Sequence, residues 1–443
     1  MKQTTKSLQN CVKCGLCLAT CPVYRVLKEE QASPRARLQL INAFEDNTLG
    51  ASPLLKELIS KCLMCGSCAV TCPSGINHYE KFMDMRQKMV ADLGDTPAIK
   101  GLIYLLSKEY RIRMGAGMAK IGQRLTPDFL ARKYRLGNIP VKQFPQLNEK
   151  PLRSGLPEKI APVGKKKGCV VYFTGCATNY MYGDTGRSVV GVLTLLGYEV
   201  IIPRDQTCCA IPMMFHGAQE QAFENIQTNV TALAAYDCDA VIVDCTTCGA
   251  ALKDEYPRLL DRMLDQNIEQ NVESTGNNHN ALTKKNPVQT SALKTLAADA
   301  RQIADKTIDI LSFLSTHIAE LEFKPQEDCP ERAAYHAPCH SRNSFHTLDR
   351  VREILKGLPT IDYVSTPGEA DCCGGGGTFF YEHPDIADAM IHKKVDQVRS
   401  ARVDLWLTDC PVCRINLAGN LDEKDPIKVL HPVTIIHRAL RQP

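Results

Sequence analysis

At 443 residues, 44% of them hydrophobic, the chain is longer than one hydrophobic core usually organises, which predicts two or three domains with room for buried cofactors. The formal net charge of +4 arises from basic residues interspersed with acidic ones, so it gives no argument for nucleic acid, and no apolar run reaches the ~18 residues of a membrane span. The 21 cysteines exceed what free thiols explain, and without a leader for export they are poorly explained as disulfides, which points to metal-bound thiolates in a cytoplasmic protein, at most peripheral to the inner face of the membrane.

Residues 1–95 hold two four-cysteine runs, Cys11-x2-Cys14-x2-Cys17-x3-Cys21-Pro22 and Cys62-x2-Cys65-x2-Cys68-x3-Cys72-Pro73. Between them Ser33–Asn47, with Leu38, Leu40 and Ile41 among polar residues, predicts a helix, and His78–Leu93 predicts another. Residues 96–165 mix an amphipathic part with a Pro-rich stretch and predict a helical linker that wraps other domains. Within it Gly101–Lys120 combines Leu, Ile, Tyr and Met with Lys and Arg, a pattern that suits a helix packed on its own protein or one lying at an interface.

From Gly168 the texture changes. Residues 168–173, 198–203 and 239–244 read as buried strands and 186–197 as a helix, which predicts an α/β layer with parallel strands over 166–265. Residues 266–328 read as a connection, with a surface loop over Gln266–Val288 and a helix over 303–320. A second lobe over 329–443 shows strands at 332–338, 362–366 and 403–409 and helices at 350–357 and 385–399. The fold class is thus α+β overall, a mainly helical N-terminal module followed by two α/β lobes.

An internal repeat supports that division. Cys176, Cys208, Cys209, Cys245 and Cys248 recur as Cys339, Cys372, Cys373, Cys410 and Cys413, at offsets of 163, 164, 164, 165 and 165 residues. Cys169 and Cys238 read as core residues, and Cys329 is an unassigned thiol.

The N-terminal spacing lets a turning backbone set three thiolates around one face of a cubic cluster, while the fourth cysteine of each run is carried to the neighbouring cluster. That assigns Cys11, Cys14, Cys17 and Cys72 to one [4Fe–4S] cluster and Cys62, Cys65, Cys68 and Cys21 to the other. Gly15 and Gly66 relieve crowding near the sulfurs, and Pro22 and Pro73 fix φ as the chain leaves. Two units of about −2 each bring the chain near neutrality. A pair of zinc sites is the structural alternative, disfavoured by two adjacent three-cysteine turns in this phase.

In the lobes, each first cysteine and each final pair follows a strand, and loops beyond the carboxyl ends of parallel strands converge. The adjacent pairs Cys208–Cys209 and Cys372–Cys373 suit different irons of an extended cluster, with Gly374–Gly377 allowing close backbone approach. A structural or zinc role is the alternative. His336 and His340 flank Cys339, placed for proton transfer, for cluster tuning or for an ordinary local hydrogen bond.

Residues 1–95 resemble a bacterial-type two-cluster ferredoxin module, and nearly the whole chain resembles the cysteine-rich CCG-domain family. That family includes the noncubane-cluster subunit of heterodisulfide reductase and the iron–sulfur subunits of anaerobic glycerol-3-phosphate dehydrogenase and of glycolate and lactate oxidases. The resemblance implies two [4Fe–4S] clusters, with one or two further iron–sulfur clusters, cubane or noncubane, at Cys339, Cys372, Cys373, Cys410 and Cys413 and at Cys176, Cys208, Cys209, Cys245 and Cys248. The first lobe departs from the family motif with Ala210 where the second has Gly374. No Gly-x-Gly-x-x-Gly fingerprint follows a strand, so the two-electron step belongs to an FAD- or FMN-containing partner. The implied role is an electron-transfer subunit for oxidation of lactate, glycolate or glycerol 3-phosphate, delivering toward quinone, a membrane anchor subunit or another carrier, with no nucleic acid. The alternatives are disulfide cleavage at a noncubane cluster, as in heterodisulfide reductase, and a metal-stabilised interaction scaffold.

Overall fold

The computed structural model describes residues 11–276, 287–325 and 329–441. In the N-terminal module each cysteine run makes the same turn. Lys13 and Gly15 in the first, and Met64 and Gly66 in the second, all take positive φ. Short helices, Leu16–Thr20 and Ser67–Val70, then carry the chain from each third cysteine toward the fourth.

Helix Pro34–Glu45 starts where the Ser33 side chain accepts from the Ala36 N–H and Pro34 sets the first turn. Helix His78–Leu93 has its predicted bounds, with Asn77 as its cap. Leu38, Ile41, Ile59, Phe82 and Met85 are buried between these helices, while Leu40 is half-buried. Buried Arg37 donates to the carbonyls of Leu58 and Lys61, so the core around the second run includes a fixed positive charge.

The segment read as a wrapping linker is folded. It holds helices Pro97–Leu106 and Glu109–Leu125 and a hairpin of β1 (Arg135–Leu136) and β2 (Ile139–Pro140). It ends in β3 (Lys159–Ile160), which pairs antiparallel with the first lobe's sheet.

That sheet contains β4 (Gly168–Phe173), β5 (Tyr198–Ile201), β6 (Ala240–Val243) and β7 (Thr307–Asp309) in the order β3-β5-β4-β6-β7. The second sheet contains β8 (Glu331–Tyr335), β9 (Ile361–Tyr363), β10 (Leu405–Leu407) and β11 (Lys428–Leu430), ordered β11-β10-β8-β9. Read from β5 and from β9, the two parallel orders are the same, so the repeat extends from cysteine spacing to topology. Val170–Phe173 and Leu405–Leu407 are buried throughout, as strands covered on both faces require.

The lobes share one interior. Val189 and Leu193 of helix Gly183–Leu195 belong to the same buried cluster as Ile435 and Ile436 of helix Pro432–Ala439. Gly191 permits the approach, since a Cβ there would lie 2.3 Å from Nε2 of His437. Arg414 adds a polar link, its guanidinium 3.2 Å from the Asp184 carboxylate and over the Tyr182 ring.

Three local readings are corrected. The loop over Gln266–Val288 is helical up to Gly276 and again from Pro287, and 277–286 lies outside the described residues. Leu260 and Leu264 bury against Leu293 and Ala297, and this packing outweighs the weak helix propensity of the Asn- and Ser-rich stretch. The helix over 303–320 is interrupted by β7, because Thr307 and Ile308 pair with Val241 and Ile242. Cys169 and Cys238 are joined as a disulfide, with Cα atoms 5.1 Å apart.

Candidate metal centres

Cys21 lies with the second run. Cys21, Cys62, Cys65 and Cys68 line one cavity together with Leu63 and Phe82. Burial first, then the charges of Cys65 and Cys62, push the Cys21 thiol up to about 11, and Cys68 is raised by burial and by the same neighbours. Cys17 is raised by burial and by Cys11 and Cys14. Cys72 stands half-buried against the core that also holds Cys11 and Cys17. The grouping of Cys21 follows from local geometry, because Pro22 opens a helix immediately after it and turns the chain away from its own run.

The donors suit iron–sulfur clusters. None of these eight thiols is spent in a disulfide. The Met64 N–H donates to the Cys62 sulfur at 3.4 Å, a contact that favours thiolate. Arg86 is half-buried and donates to the carbonyls of Cys62 at 2.6 Å, Ser60 at 2.9 Å and Phe215 at 2.9 Å. With Arg37 it sets two positive charges beside a site whose bound group is anionic.

The lobe cysteines form one composite site at the carboxyl edges of both sheets. In the first lobe Cys208 is within hydrogen-bonding reach of Cys176 and Cys209, Cys209 of Cys248, and Cys248 of Cys245. In the second, Cys373 reaches Cys372 and Cys413, and Cys413 reaches Cys410. Cys245 meets Cys410, its own counterpart in the repeat. In each set the second cysteine of the adjacent pair is pulled well down, Cys209 by Cys208 and Cys248, and Cys373 by Cys372 and Cys413. Cys410 is pulled well down too, by Cys245 and Cys413.

The lobe contacts are reciprocal. His431 after β11 lies 3.0 Å from the Asp244 carbonyl, while Asp309 at the end of β7 acts on the buried Asp409 carboxyl. Thr247 reaches Cys410 at 3.6 Å and His340 at 3.2 Å. Sequence reasoning treated the two sets as separate sites. The near-constant offset was the available signal, because equivalent residues of two facing repeats meet where the repeats join.

The second lobe also adjoins the N-terminal module. The Cys339 thiol is raised chiefly by burial and next by Cys65, ahead of Cys410 and Cys373 of its own lobe. Asn343 donates to the Cys65 carbonyl at 2.7 Å and to Ser67 at 3.2 Å. Leu63 packs so closely on Gly376 that a Cβ there would lie 2.3 Å from it. The module thus packs on both lobes, since its buried Phe82 and Met85 share one cluster with Met213 and Phe215 of the first lobe.

The Ala210 departure leaves the backbone unchanged. Ala210 has φ 67° and Gly374 φ 80°, so both lobes make the same left-handed turn. The histidines distinguish the lobes. A ring nitrogen of buried His336 and the sulfurs of Cys373 and Cys413 lie within 4.8 Å of one another, and His336 reaches Cys373. Counterparts in the first lobe are Phe173 for His336 and Ala177 for His340. Cys329 is exposed and away from both sets.

Comparison with known proteins finds matches to both kinds of domain. A family model described as "4Fe-4S dicluster domain" matches residues 7–76, and one described as "Cysteine-rich domain" matches residues 170–253 and 333–418. A subunit of the fumarate reductase (CoM/CoB) of Methanothermobacter marburgensis is 26% identical, over 99% of this chain and 73% of its own. A probable glycolate oxidase iron-sulfur subunit of Bacillus subtilis is 25% identical over 94% of this chain and 90% of its own. A subunit of the dihydromethanophenazine:CoB–CoM heterodisulfide reductase of Methanosarcina acetivorans is 24% identical over 98% and 94% respectively.

Proposed function

We propose that this chain, which belongs to the cysteine-rich CCG-domain iron–sulfur proteins, serves a flavin-dependent dehydrogenase that oxidises lactate, glycolate or glycerol 3-phosphate. Electron transfer is the role of the chain itself, and the two-electron chemistry falls to a flavoprotein partner. The observation that carries the reading is the unbroken succession of thiols from Cys65 through Cys339 and the second lobe to Cys245 and the first.

Clusters held at these cysteines supply single-electron exchange. The chain's own residues do the rest. Cys11, Cys14, Cys17 and Cys72 hold one cluster, and Cys21, Cys62, Cys65 and Cys68 the other. Arg37 and Arg86 offset negative charge, and the buried walls around Cys21 and Cys68 exclude water. A cavity of about 700 Å³ lined by Tyr104, Asp95 and His216 provides room for a small carrier. Its wall residue His216 follows Phe215, whose carbonyl accepts from the same Arg86 guanidinium that donates to the Cys62 carbonyl. Among the described residues no helix is long and apolar enough to cross a membrane, so delivery to a membrane carrier takes place by peripheral attachment.

Anaerobic purification with iron analysis tests this. The reading expects about eight or more irons per chain, with absorbance near 400 nm bleached reversibly. It also expects a co-purifying flavoprotein whose reduction by one of the three substrates is passed on to this chain. Folded, colourless protein rich in zinc refutes it. The facing lobe sites and the seam residue His340 favour a second reading, disulfide cleavage at the composite site. A spectral change on adding a disulfide, without any flavoprotein, is its test.

A further inference from the structure

The segment from Tyr104 to Val141 holds nine of the seventeen exposed large apolar side chains among the described residues. Scattered surface apolars need no explanation, but this concentration does. Five lie on helix Glu109–Leu125: Tyr110, Met114, Met118, Ile121 and Leu125, of which Met118 is 72% and Leu125 75% exposed. At ~100° per residue their spacing keeps all five within an arc of about 80°.

The rest of the helix explains why this arc faces outward. Ile112 is buried, and Gly115 lets Leu105 of the preceding helix approach closely. Glu109 accepts from the Tyr180 hydroxyl at 2.7 Å and from Arg153, which fixes the first turn to the first lobe. Lys120 reaches the Glu149 carbonyl. The final turns, from Ile121 onward, are exposed on every side.

Charge identifies the occupant. Arg113, Lys120 and Arg124 flank one side of the arc and Arg111 the other. Glu109, the sole acidic residue of the helix, is engaged by Arg153 and Tyr180. An apolar stripe between basic flanks is the pattern of a helix lying among lipid headgroups, with anionic lipid meeting the arginines.

We propose that the Tyr110–Leu125 face seats the protein on an anionic lipid surface. The inference deepens the reading that electrons leave toward a membrane carrier, and it rests on that reading for its purpose. Its test is flotation of the iron-loaded full chain with phosphatidylcholine vesicles, with and without phosphatidylglycerol. Binding is expected only to anionic vesicles and to weaken with salt. Met118→Glu with Ile121→Glu should abolish it, while Leu54→Glu, at an exposed apolar site outside the segment, leaves it unchanged. Arg113→Gln with Arg124→Gln should reduce partitioning roughly 25-fold, at about fivefold per basic residue. No anionic-vesicle binding by the unaltered chain, equal binding by the glutamate variant, or loss of a protein partner alone in that variant overturns the proposal. Iron content and reversible bleaching, read on the same samples, report on the electron-transfer role separately.

Discussion

Replacing Cys21 by Ala tests the crossed ligand sets directly. Cys21 belongs in sequence to the first run, yet its neighbours are Cys62, Cys65 and Cys68. Its loss should therefore act like loss of Cys65 rather than like loss of Cys14. Each [4Fe–4S] cluster accounts for about four irons, which makes the comparison countable. Cys21→Ala and Cys65→Ala should each remove about four irons, and the double variant should remove no more than either alone. Cys21→Ala with Cys14→Ala should remove about eight. Iron and sulfide analysis after anaerobic reconstitution reads the stoichiometry, and low-temperature EPR of the reduced protein identifies the missing signal. Alanine is preferred to serine because an alkoxide can itself hold iron. If Cys21→Ala adds to Cys65→Ala but not to Cys14→Ala, the crossing is wrong.

Further outcomes follow from the same geometry. Gly374→Ala places a side chain at φ 80° with its Cβ 2.9 Å from the Ala387 carbonyl oxygen, so thermal unfolding of the loaded protein should show a loss of about 2 kcal/mol or more. Ala210→Gly, in the matching turn, should be neutral or stabilise by up to about 1 kcal/mol, and equal effects at the two sites would contradict the shared turn. Arg86→Met removes the donor shared by the carbonyls of Ile59, Ser60, Cys62 and Phe215 and should cost about 3–5 kcal/mol with accelerated iron loss, and Lys should not restore it because an ammonium lacks the planar fork.

Asp95 is raised by burial but lowered more by His216, the Thr96 N–H and Lys56, to about 2. A depressed carboxylate stabilises fully above its unfolded value near 3.9 and loses that contribution as pH falls toward 2. Asp95→Asn should therefore cost about 2 kcal/mol near neutral pH, a cost that shrinks as pH falls toward about 2 in thermal shift assays. A cost undiminished at the acid end would refute the assignment.

The ligand-bearing turns were legible because cluster geometry is written locally, in spacings of two and three residues followed by proline. The strand at 168–173 was legible as an unbroken apolar run, and that at 331–335 from its buried half, Ala333–Tyr335. What escaped depends on long-range pairing. β7 splits an apparent helix because Thr307 and Ile308 find partners more than sixty residues earlier, in β6. The meeting of Cys245 with Cys410 depends on how the repeats face one another, which no window of sequence contains. Ala210 looked like a departure in chemistry, whereas the shared positive φ shows a tolerated strain.

The common interior of the lobes carries a mechanical consequence. Swinging them apart like jaws would bring Val189, Leu193, Ile435 and Ile436 into water, at about 1.5–3 kcal/mol for each side chain. The seam where Cys245 meets Cys410 is thus held rigidly, and anything that reaches it must do so past small side-chain and loop adjustments around Thr247 and His340.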